Sequence, residues 1–181
     1  MPWLAAALLD LVLAPALLCA VLWVRRRQAS ILRDGVPLNP AQQALAMALG
    51  VVQVGQVRVV RAAVVPTLLP RWIRNLALRA GWISQHIAGM ALGYGIVIRE
   101  DYIDDMRLLA HELVHVSQYE RLGGIAGFLR QYLRECAWPG YPYGALECEA
   151  RSAEACCSVP LADVIPYQPP EAAFSAPSST T

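Results

Sequence analysis

A chain of 181 residues, 56% hydrophobic and 16% charged, is long enough for one domain with a real core and is more apolar than an average globular protein. The formal net charge is +1, and the one dense basic run, Arg25–Arg27, follows an apolar segment, so nucleic acid is excluded as the main partner. The five cysteines are odd in number and form no pair of C-x-x-C motifs, which excludes a zinc knuckle and indicates reduced thiols rather than disulfides.

The first predicted element is a transmembrane helix over the apolar run Trp3–Val24, which Asp10 and Pro15 interrupt. About 20 apolar residues span a bilayer core. Arg25–Arg27 flank only the C-terminal end, and the positive-inside rule therefore predicts a single-pass anchor, residues 1–28, with the rest of the chain in the cytoplasm. Every basic residue is arginine, a bias typical of GC-rich bacterial genes, so the membrane would be a bacterial inner membrane. The alternatives are a buried N-terminal helix and a cleaved signal peptide of unusual form.

Residues 29–159 are predicted to form one domain of mixed α and β structure. Asn39 is a typical N-cap before Pro40, so a helix begins there. The β-branched alternation that follows indicates a strand around residues 57–59, and the stretch 71–82 indicates a short helix.

The second half of the domain is predicted to contain a strand and three helices. Glycines followed by β-branched residues indicate a turn and then a strand over Gly95–Arg99. Asp104 or Asp105 can cap a helix over 105–121, which two glycines end. Two further helices are predicted over the segments IAGFLRQYLRECA and ALECEARSAEACC. The last segment, 160–181, is rich in proline, serine and threonine, which predicts a disordered tail.

The helix over 105–121 carries the motif HELVH, which contains two of the three histidines of the chain. Residues i and i+4 share one helix face, so His111 and His115 can both direct an imidazole nitrogen at a single Zn²⁺. Glu112 lies at the edge of that face, where it can take a proton from a water that zinc has acidified. The motif therefore predicts a catalytic zinc site, and an amphipathic helix with two hydrogen-bonded histidines is the alternative.

A third ligand must come from elsewhere, because a catalytic zinc site has three protein ligands and one open position. A metzincin would have a glycine and a histidine where this chain has Gln118 and Arg121, so that class is excluded. A carboxylate on the last predicted helix remains, and the candidates are Glu147, Glu149 and Glu154. Glu147 and Glu149 lie about 200° apart on a helix, so both cannot face one ion.

HELVH, preceded by a glycine-rich strand and followed by a helix with E-x-x-A, resembles the compact gluzincin metallopeptidases over roughly residues 40–158. Small membrane-linked bacterial proteins of this kind include minigluzincins and the CAAX-prenyl-type and heat-shock-induced membrane proteases. The resemblance implies an α+β, minimal zincin-like domain behind the N-terminal transmembrane helix. Its parts would be an active-site helix, a glycine-rich edge strand and a later ligand helix, with Zn²⁺ as the cofactor.

The resemblance also assigns roles to single residues. The glutamate three residues before the alanine is the third ligand in such proteins, which gives that role to Glu147. The aspartate that often follows is replaced by Arg151, so a hydrogen-bond partner of one histidine is left unassigned. Gly95–Arg99 is the candidate for an edge strand that pairs with substrate, and an ordinary core strand is the alternative. By residue type alone, candidates for stabilising the oxyanion are Tyr143, Tyr141 and His86.

These observations predict a membrane-anchored zinc metalloendopeptidase that acts on peptide or protein substrates. Glu112 would serve as the general base and would then pass the proton to the leaving amine. The alternative is a non-catalytic membrane protein that uses a zinc-stabilised zincin-like domain to bind other proteins. Arg151 favours this alternative, whereas Glu112 favours the enzyme, because a purely structural zinc site requires no carboxylate beside an open position.

Overall fold

The computed structural model describes residues 2–66, 87–137, 140 and 143–154, with side chains from residue 14 onward. In this part of the chain the structure is α+β, as predicted, with α-helices, a four-stranded sheet and two short 3-10 turns. The helices are α1 (Pro2–Asp34), α2 (Pro40–Ala48), α3 (Met106–Arg121), α4 (Ile125–Ala137) and α5 (Ala145–Glu154). The strands are β1 (Val36–Pro37), β2 (Arg58–Ala62), β3 (Gly89–Leu92) and β4 (Gly95–Arg99), and the turns are Val54–Gln56 and Glu100–Tyr102. The predicted helix 71–82 and the predicted tail 160–181 lie outside the described residues.

The sheet has the order β1-β2-β4-β3, in which β2 and β4 are parallel and the two outer pairs are antiparallel. The prediction that Gly95–Arg99 is an edge strand is wrong, because this strand, β4, lies between β2 and β3, and the alternative of an ordinary core strand is confirmed. Its apolar run, with Ile96, Val97 and Ile98 at most 2% exposed, is typical of a strand covered on both faces. The strand at the edge of the sheet that packs against α3 is β3.

α3 carries the HELVH motif and lies within one residue of the bounds that the sequence predicts. Asp105 is its N-cap, and its carboxylate accepts a hydrogen bond of 3.0 Å from the backbone N–H of Arg107. The helix ends at Arg121, and the chain continues through Gly123 and Gly124, both with positive φ, which only glycine adopts without strain. The predicted helix over 105–121 is therefore confirmed, with Asp105 rather than its neighbour as the cap.

α3 is central to the fold, since it packs against both β3 and α5. Its fully buried apolar side chains include Leu109, Leu113 and Val116. Val114 meets Ala150 and Ala153 of α5, and these two small side chains allow the helices to approach closely. The close approach brings polar side chains of the two helices to one place.

α1 runs as one helix through the boundary predicted at residue 28, and its C-terminal half packs against α4 and β4. The side chains that it buries in the core are Ala20, Val21, Val24 and Ile31. The Gln28 side chain accepts a hydrogen bond of 3.1 Å from the backbone N–H of Tyr94, in the turn between β3 and β4. None of the helices in the described residues combines the length and apolar character needed to cross a membrane, and the predicted N-terminal transmembrane helix is not found among them.

Candidate metal centre

Two helices bring three potential metal ligands together. On α3, His111 and His115 lie one turn apart, and their Nε2 atoms are 3.1 Å from each other. α5 contributes Glu147, whose carboxylate oxygens lie 3.5 Å from Nε2 of His111 and 3.7 Å from Nε2 of His115. One ligand atom from each side chain lies within 4.8 Å of the other two. The structure thus brings together the three residues that the sequence predicts as ligands.

The hydrogen bonds of Gln118 define the tautomer of His115. The amide nitrogen of Gln118 donates to the carbonyl of Leu146 at 3.0 Å and to the carboxylate of Glu149 at 2.9 Å, two groups that accept. The amide oxygen is therefore the atom that lies 2.8 Å from Nδ1 of His115, and this nitrogen must carry the proton. Nε2 of His115 is left with its lone pair directed at the other two ligands.

A carboxylate fixes the tautomer of His111 as Gln118 fixes that of His115. Its Nδ1 lies 2.6 Å from Oε1 of Glu154 at the end of α5, so Nδ1 donates and Nε2 faces the other ligands. The sequence offers Glu154 as a ligand candidate, whereas the structure places it behind His111. It stands seven residues after Glu147, two helical turns along the same face, and it supplies the partner that Arg151 does not.

When both histidines are neutral, the three ligand groups direct lone pairs at one another. Because both Nδ1 atoms donate outward, two neutral Nε2 atoms and a carboxylate face each other, which is unfavourable unless a proton or a cation lies between them. Two imidazole nitrogens and a carboxylate oxygen are ligands that Zn²⁺ accepts, and three protein ligands leave a fourth position open. The residues present therefore fit a zinc ion.

The pKa values of the two histidines in the metal-free site also show that a positive charge is favourable there. Burial lowers the pKa of His111, but the hydrogen bond to Glu147 and the charges of Glu112 and Glu147 outweigh it and raise the pKa to about 9. Burial, and then the charge of protonated His111, lowers the pKa of His115. Without a metal, one proton on His111 supplies the positive charge that the ligand groups share.

Glu147 is held in place from α4. Tyr132 of that helix donates its hydroxyl to Oε1 of Glu147 at 2.9 Å, while Oε2 is the oxygen nearer to His111. Burial raises the pKa of Glu147, but the hydrogen bond to His111, the charge of His115 and the bond from Tyr132 outweigh it and lower the pKa. Glu147 is therefore an ionised carboxylate, the form in which it can bind a metal.

Glu112 lies under β3, where a Cβ atom on Gly89 would stand 2.6 Å from its Oε1. It accepts a hydrogen bond from the backbone N–H of Ala91, and its Oε2 has no partner among the described residues. The residue is 4% exposed, and this burial raises its pKa to about 7, against the opposing charge of His111. A buried carboxyl with a free oxygen and a pKa near neutrality meets the requirements of a general base.

The hydrogen bonds of the β3–β4 hairpin turn the backbone of Ala91 away from β4. In an antiparallel pair, every second residue directs its N–H and C=O groups at the partner strand. The 2.7 Å bond from the N–H of Arg99 to the carbonyl of Ala88 shows that Ala88 is one of these residues, so Ala91, three positions later, is not. Its N–H donates to Glu112, and its carbonyl accepts from the hydroxyl of Tyr119 at 3.4 Å. The outer edge of β3 is thus linked to the helix that carries HELVH.

Tyr143 and Glu149, the other sequence candidates that the structure describes, are not part of this group. Tyr143 is 70% exposed, and Tyr141 and His86 lie outside the described residues. The carboxylate of Glu149 is bound by the guanidinium of Arg121 through two bonds of 2.9 and 2.7 Å, which lower its pKa. Glu149 is therefore occupied by Arg121, while Glu147 faces the histidines.

Sequence reasoning missed the contacts of Gln118 and Tyr132 with the ligands. A signal for Gln118 was present, since it follows His115 by three residues on the same side of a helix, and a buried amide there needs partners. Tyr132 carries no such signal, because it reaches Glu147 from a different helix, fifteen residues earlier in the chain. Contacts of this kind become visible only when the packing of the helices is known.

In comparisons with known proteins, the chain matches no family model, no curated protein and no solved structure. Among the residues that the structure describes, His111, His115 and Glu147 are the one group that could hold a metal ion. Function is therefore inferred from the geometry and chemistry of this site.

Proposed function

We propose that the chain is a zinc metalloendopeptidase with a minimal zincin-like domain of gluzincin type. The observation that carries this proposal is the convergence of His111, His115 and Glu147 on one point, beside the buried Glu112, whose Oε2 has no partner among the described residues. Structural zinc sites are usually closed by four protein ligands. Three ligands next to a carboxyl group of raised pKa are instead typical of a site that hydrolyses its substrate.

When bound, zinc would supply Lewis acidity, which polarises a carbonyl oxygen and acidifies water. Glu112, whose pKa is raised to about 7, would accept a proton from the attacking water at its free Oε2 and would donate it to the leaving amine. His111 and His115 would keep their Nδ1 protons on Glu154 and Gln118, so that their Nε2 lone pairs remain available. No other group is required to move a proton.

The peptide substrate would lie along the outer edge of β3 as an additional strand. The backbone of Ala91 faces this edge, where its N–H is bound by Glu112 and its carbonyl by Tyr119. A peptide that pairs with Ala91 would replace these two bonds. Glu112 would then be released from the strand at the moment when substrate arrives.

We further propose that α1 attaches the enzyme to a bacterial inner membrane, with the catalytic domain in the cytoplasm. The support is the apolar run Trp3–Val24, the exposure of Leu18 (61%) and Leu22 (47%) one turn apart, and the basic run Arg25–Arg27 that follows. The full-length protein is expected to sediment with membranes and to resist carbonate extraction. A protein that stays soluble without detergent would contradict this attachment.

The enzymatic proposal is tested with wild-type protein, with Glu112→Gln and, as a matched control, with Glu100→Gln, which changes an exposed glutamate. All three proteins are expected to contain equimolar zinc by elemental analysis. Wild type and Glu100→Gln should cleave members of a broad peptide library, and Glu112→Gln should be slower by about 10²–10⁴-fold. Zinc binding without cleavage by wild type would favour the non-catalytic alternative, and absence of zinc would remove the metal centre itself.

A further inference from the structure

Gln118 is a polar side chain in the interior of α3, with 0% of the residue exposed, and both ends of its amide are bound. Its oxygen faces Nδ1 of His115 at 2.8 Å, and its nitrogen donates to Leu146 at 3.0 Å and to Glu149 at 2.9 Å. A buried amide is unfavourable unless it is hydrogen-bonded, so the side chain is confined to this arrangement. One end of the amide touches a metal ligand, and the other end touches α5.

We propose that Gln118 is a positioning residue of the metal centre, and that Glu149 and Arg121 hold its amide in the one orientation that leaves Nε2 of His115 free to bind metal. The inference rests on the proposed metal centre and extends it to residues that do not touch the metal. It also gives a role to Glu149, the carboxylate that competes with Glu147 in the sequence but faces Arg121 in the structure.

The orientation of the amide matters because a flipped Gln118 would direct an N–H group at Nδ1 of His115. That nitrogen would have to accept, the ring proton would move to Nε2, and the ligand lone pair would be lost. The flip would also place the amide oxygen 3.0 Å from the carbonyl of Leu146 and 2.9 Å from the carboxylate of Glu149. These two acceptors on α5 therefore select the orientation that His115 needs.

Arg121 fixes the second acceptor. Its guanidinium binds both carboxylate oxygens of Glu149, and it stands one turn after Gln118 on α3. Leu146 and Glu149 flank the ligand Glu147 on α5, so the same amide joins the helix of two ligands to the helix of the third. Gln118 thus sets the tautomer of one ligand and the position of another.

The experiment compares Gln118→Met, which keeps the size of the side chain but removes its hydrogen bonds, with Arg121→Gln and a matched control, Arg107→Gln. Arg107 is an exposed arginine at the other end of α3. The dissociation constant of Zn²⁺ is measured by competition with a chelator, and the ligand field is measured from the visible absorption of the Co²⁺ form. Circular dichroism and thermal unfolding of the metal-free proteins report folding separately.

Gln118→Met is expected to weaken Zn²⁺ binding by about 10–100-fold and to change the Co²⁺ spectrum. Arg121→Gln should weaken it by roughly tenfold, and Arg107→Gln should leave both readouts at wild-type values. The double change Gln118→Glu with Glu149→Gln keeps the total charge and an acceptor facing His115. It is expected to recover most of the affinity that Gln118→Glu alone loses.

Folded Gln118→Met with wild-type Zn²⁺ affinity and Co²⁺ spectrum would overturn the inference. If that variant does not fold, Arg121→Gln decides, because its side chain is exposed and only the bond to Glu149 is lost. Equal affinities for Arg121→Gln and Arg107→Gln would then overturn it. Failure of wild type to bind Zn²⁺ or Co²⁺ would remove the proposed metal centre and this inference together, which is a distinguishable result.

Discussion

Glu112 and Glu147 are two buried carboxyl groups beside the same pair of histidines, yet their surroundings differ. Glu147 receives a hydroxyl from Tyr132 and faces both Nε2 atoms, and its pKa is lowered in spite of burial. Glu112 is bound only by a backbone N–H, keeps one oxygen without a partner among the described residues, and has a pKa raised to about 7. The surroundings keep Glu147 ionised, whereas they hold the pKa of Glu112 near neutral pH.

In the proposed enzyme, this difference would divide two tasks between identical side chains. The proposed metal ligand, Glu147, must be ionised, and its hydrogen bonds keep it in that form. The proposed general base, Glu112, must take up and release a proton near neutral pH, and its burial brings its pKa into that range. The contrast comes from hydrogen-bond partners and not from residue type, so changing single partners can test it.

The largest expected effect is the loss of metal on removal of the ionised carboxylate. Glu147→Ala should lose its zinc during dialysis, because two imidazoles alone hold the ion weakly. Glu149→Ala should retain most of its zinc, since Glu149 acts only through Gln118. Elemental analysis after dialysis measures both variants. The opposite ranking would identify Glu149, and not Glu147, as the metal ligand, and the comparison of Glu147 with Glu112 would no longer hold.

The pH dependence of zinc binding is the next largest effect. The proton that the carboxylates hold on His111, whose pKa is about 9 in the metal-free protein, must leave before zinc binds. Affinity for Zn²⁺ is therefore expected to rise by up to about 100-fold between pH 7 and pH 9. Titrations with a pH-corrected competing chelator measure the slope. A constant affinity over this range would show that His111 is already neutral without metal.

Glu112→Gln should also change the stability of the metal-free protein. Burial raises the folded-state pKa of Glu112 from 4.5 to about 7, so the unfolded chain ionises first and wild type loses stability as the pH rises between these values. Above pH 7 the variant should exceed wild type by up to about 3 kcal/mol, and near pH 4.5 the two should agree. Urea unfolding at several pH values measures the difference. A variant that is less stable than wild type at pH 8 would show that the carboxylate is stabilised where it lies.

The smallest effect concerns the space around Glu112. A Cβ atom on Gly89 would lie 2.6 Å from Oε1 of Glu112, whereas a Cβ atom on Gly55 would have no neighbour within 4 Å. Gly89→Ala is therefore expected to destabilise the protein by about 1–3 kcal/mol, and Gly55→Ala should have little effect. Midpoints of urea unfolding provide the comparison. Equal midpoints would mean that Glu112 can move away from β3 at little cost.

Local sequence signals were sufficient for much of the site. Helical spacing placed His111 and His115 on one face, and the same spacing separated Glu147 from Glu149. The N-cap Asp105 was likewise visible as a local pattern. These features depend on residues within one or two turns of each other, where backbone geometry alone determines which side chains meet.

Features that depend on contacts between distant segments were not predicted. β4 is internal because β2, far earlier in the chain, pairs with it, and the apolar run of β4 indicates burial but not which strand is its neighbour. Glu154 was identified as a candidate carboxylate, but its place behind His111 follows from how α5 packs on α3. The same holds for Tyr132, which approaches from α4. Packing of helices and pairing of strands set these positions, and neither is encoded in a short segment.

The course of α1 affects how this chain can be divided. The helix that is proposed to reach the membrane also gives Val21 and Val24 to the core and Gln28 to the turn that follows β3. Cutting the chain at residue 28 would uncover apolar surface on α4 and β4 and would loosen the hairpin whose outer strand covers Glu112. If the chain is the proposed membrane-attached enzyme, a substitution in α1 that alters attachment should therefore also alter the site beneath β3.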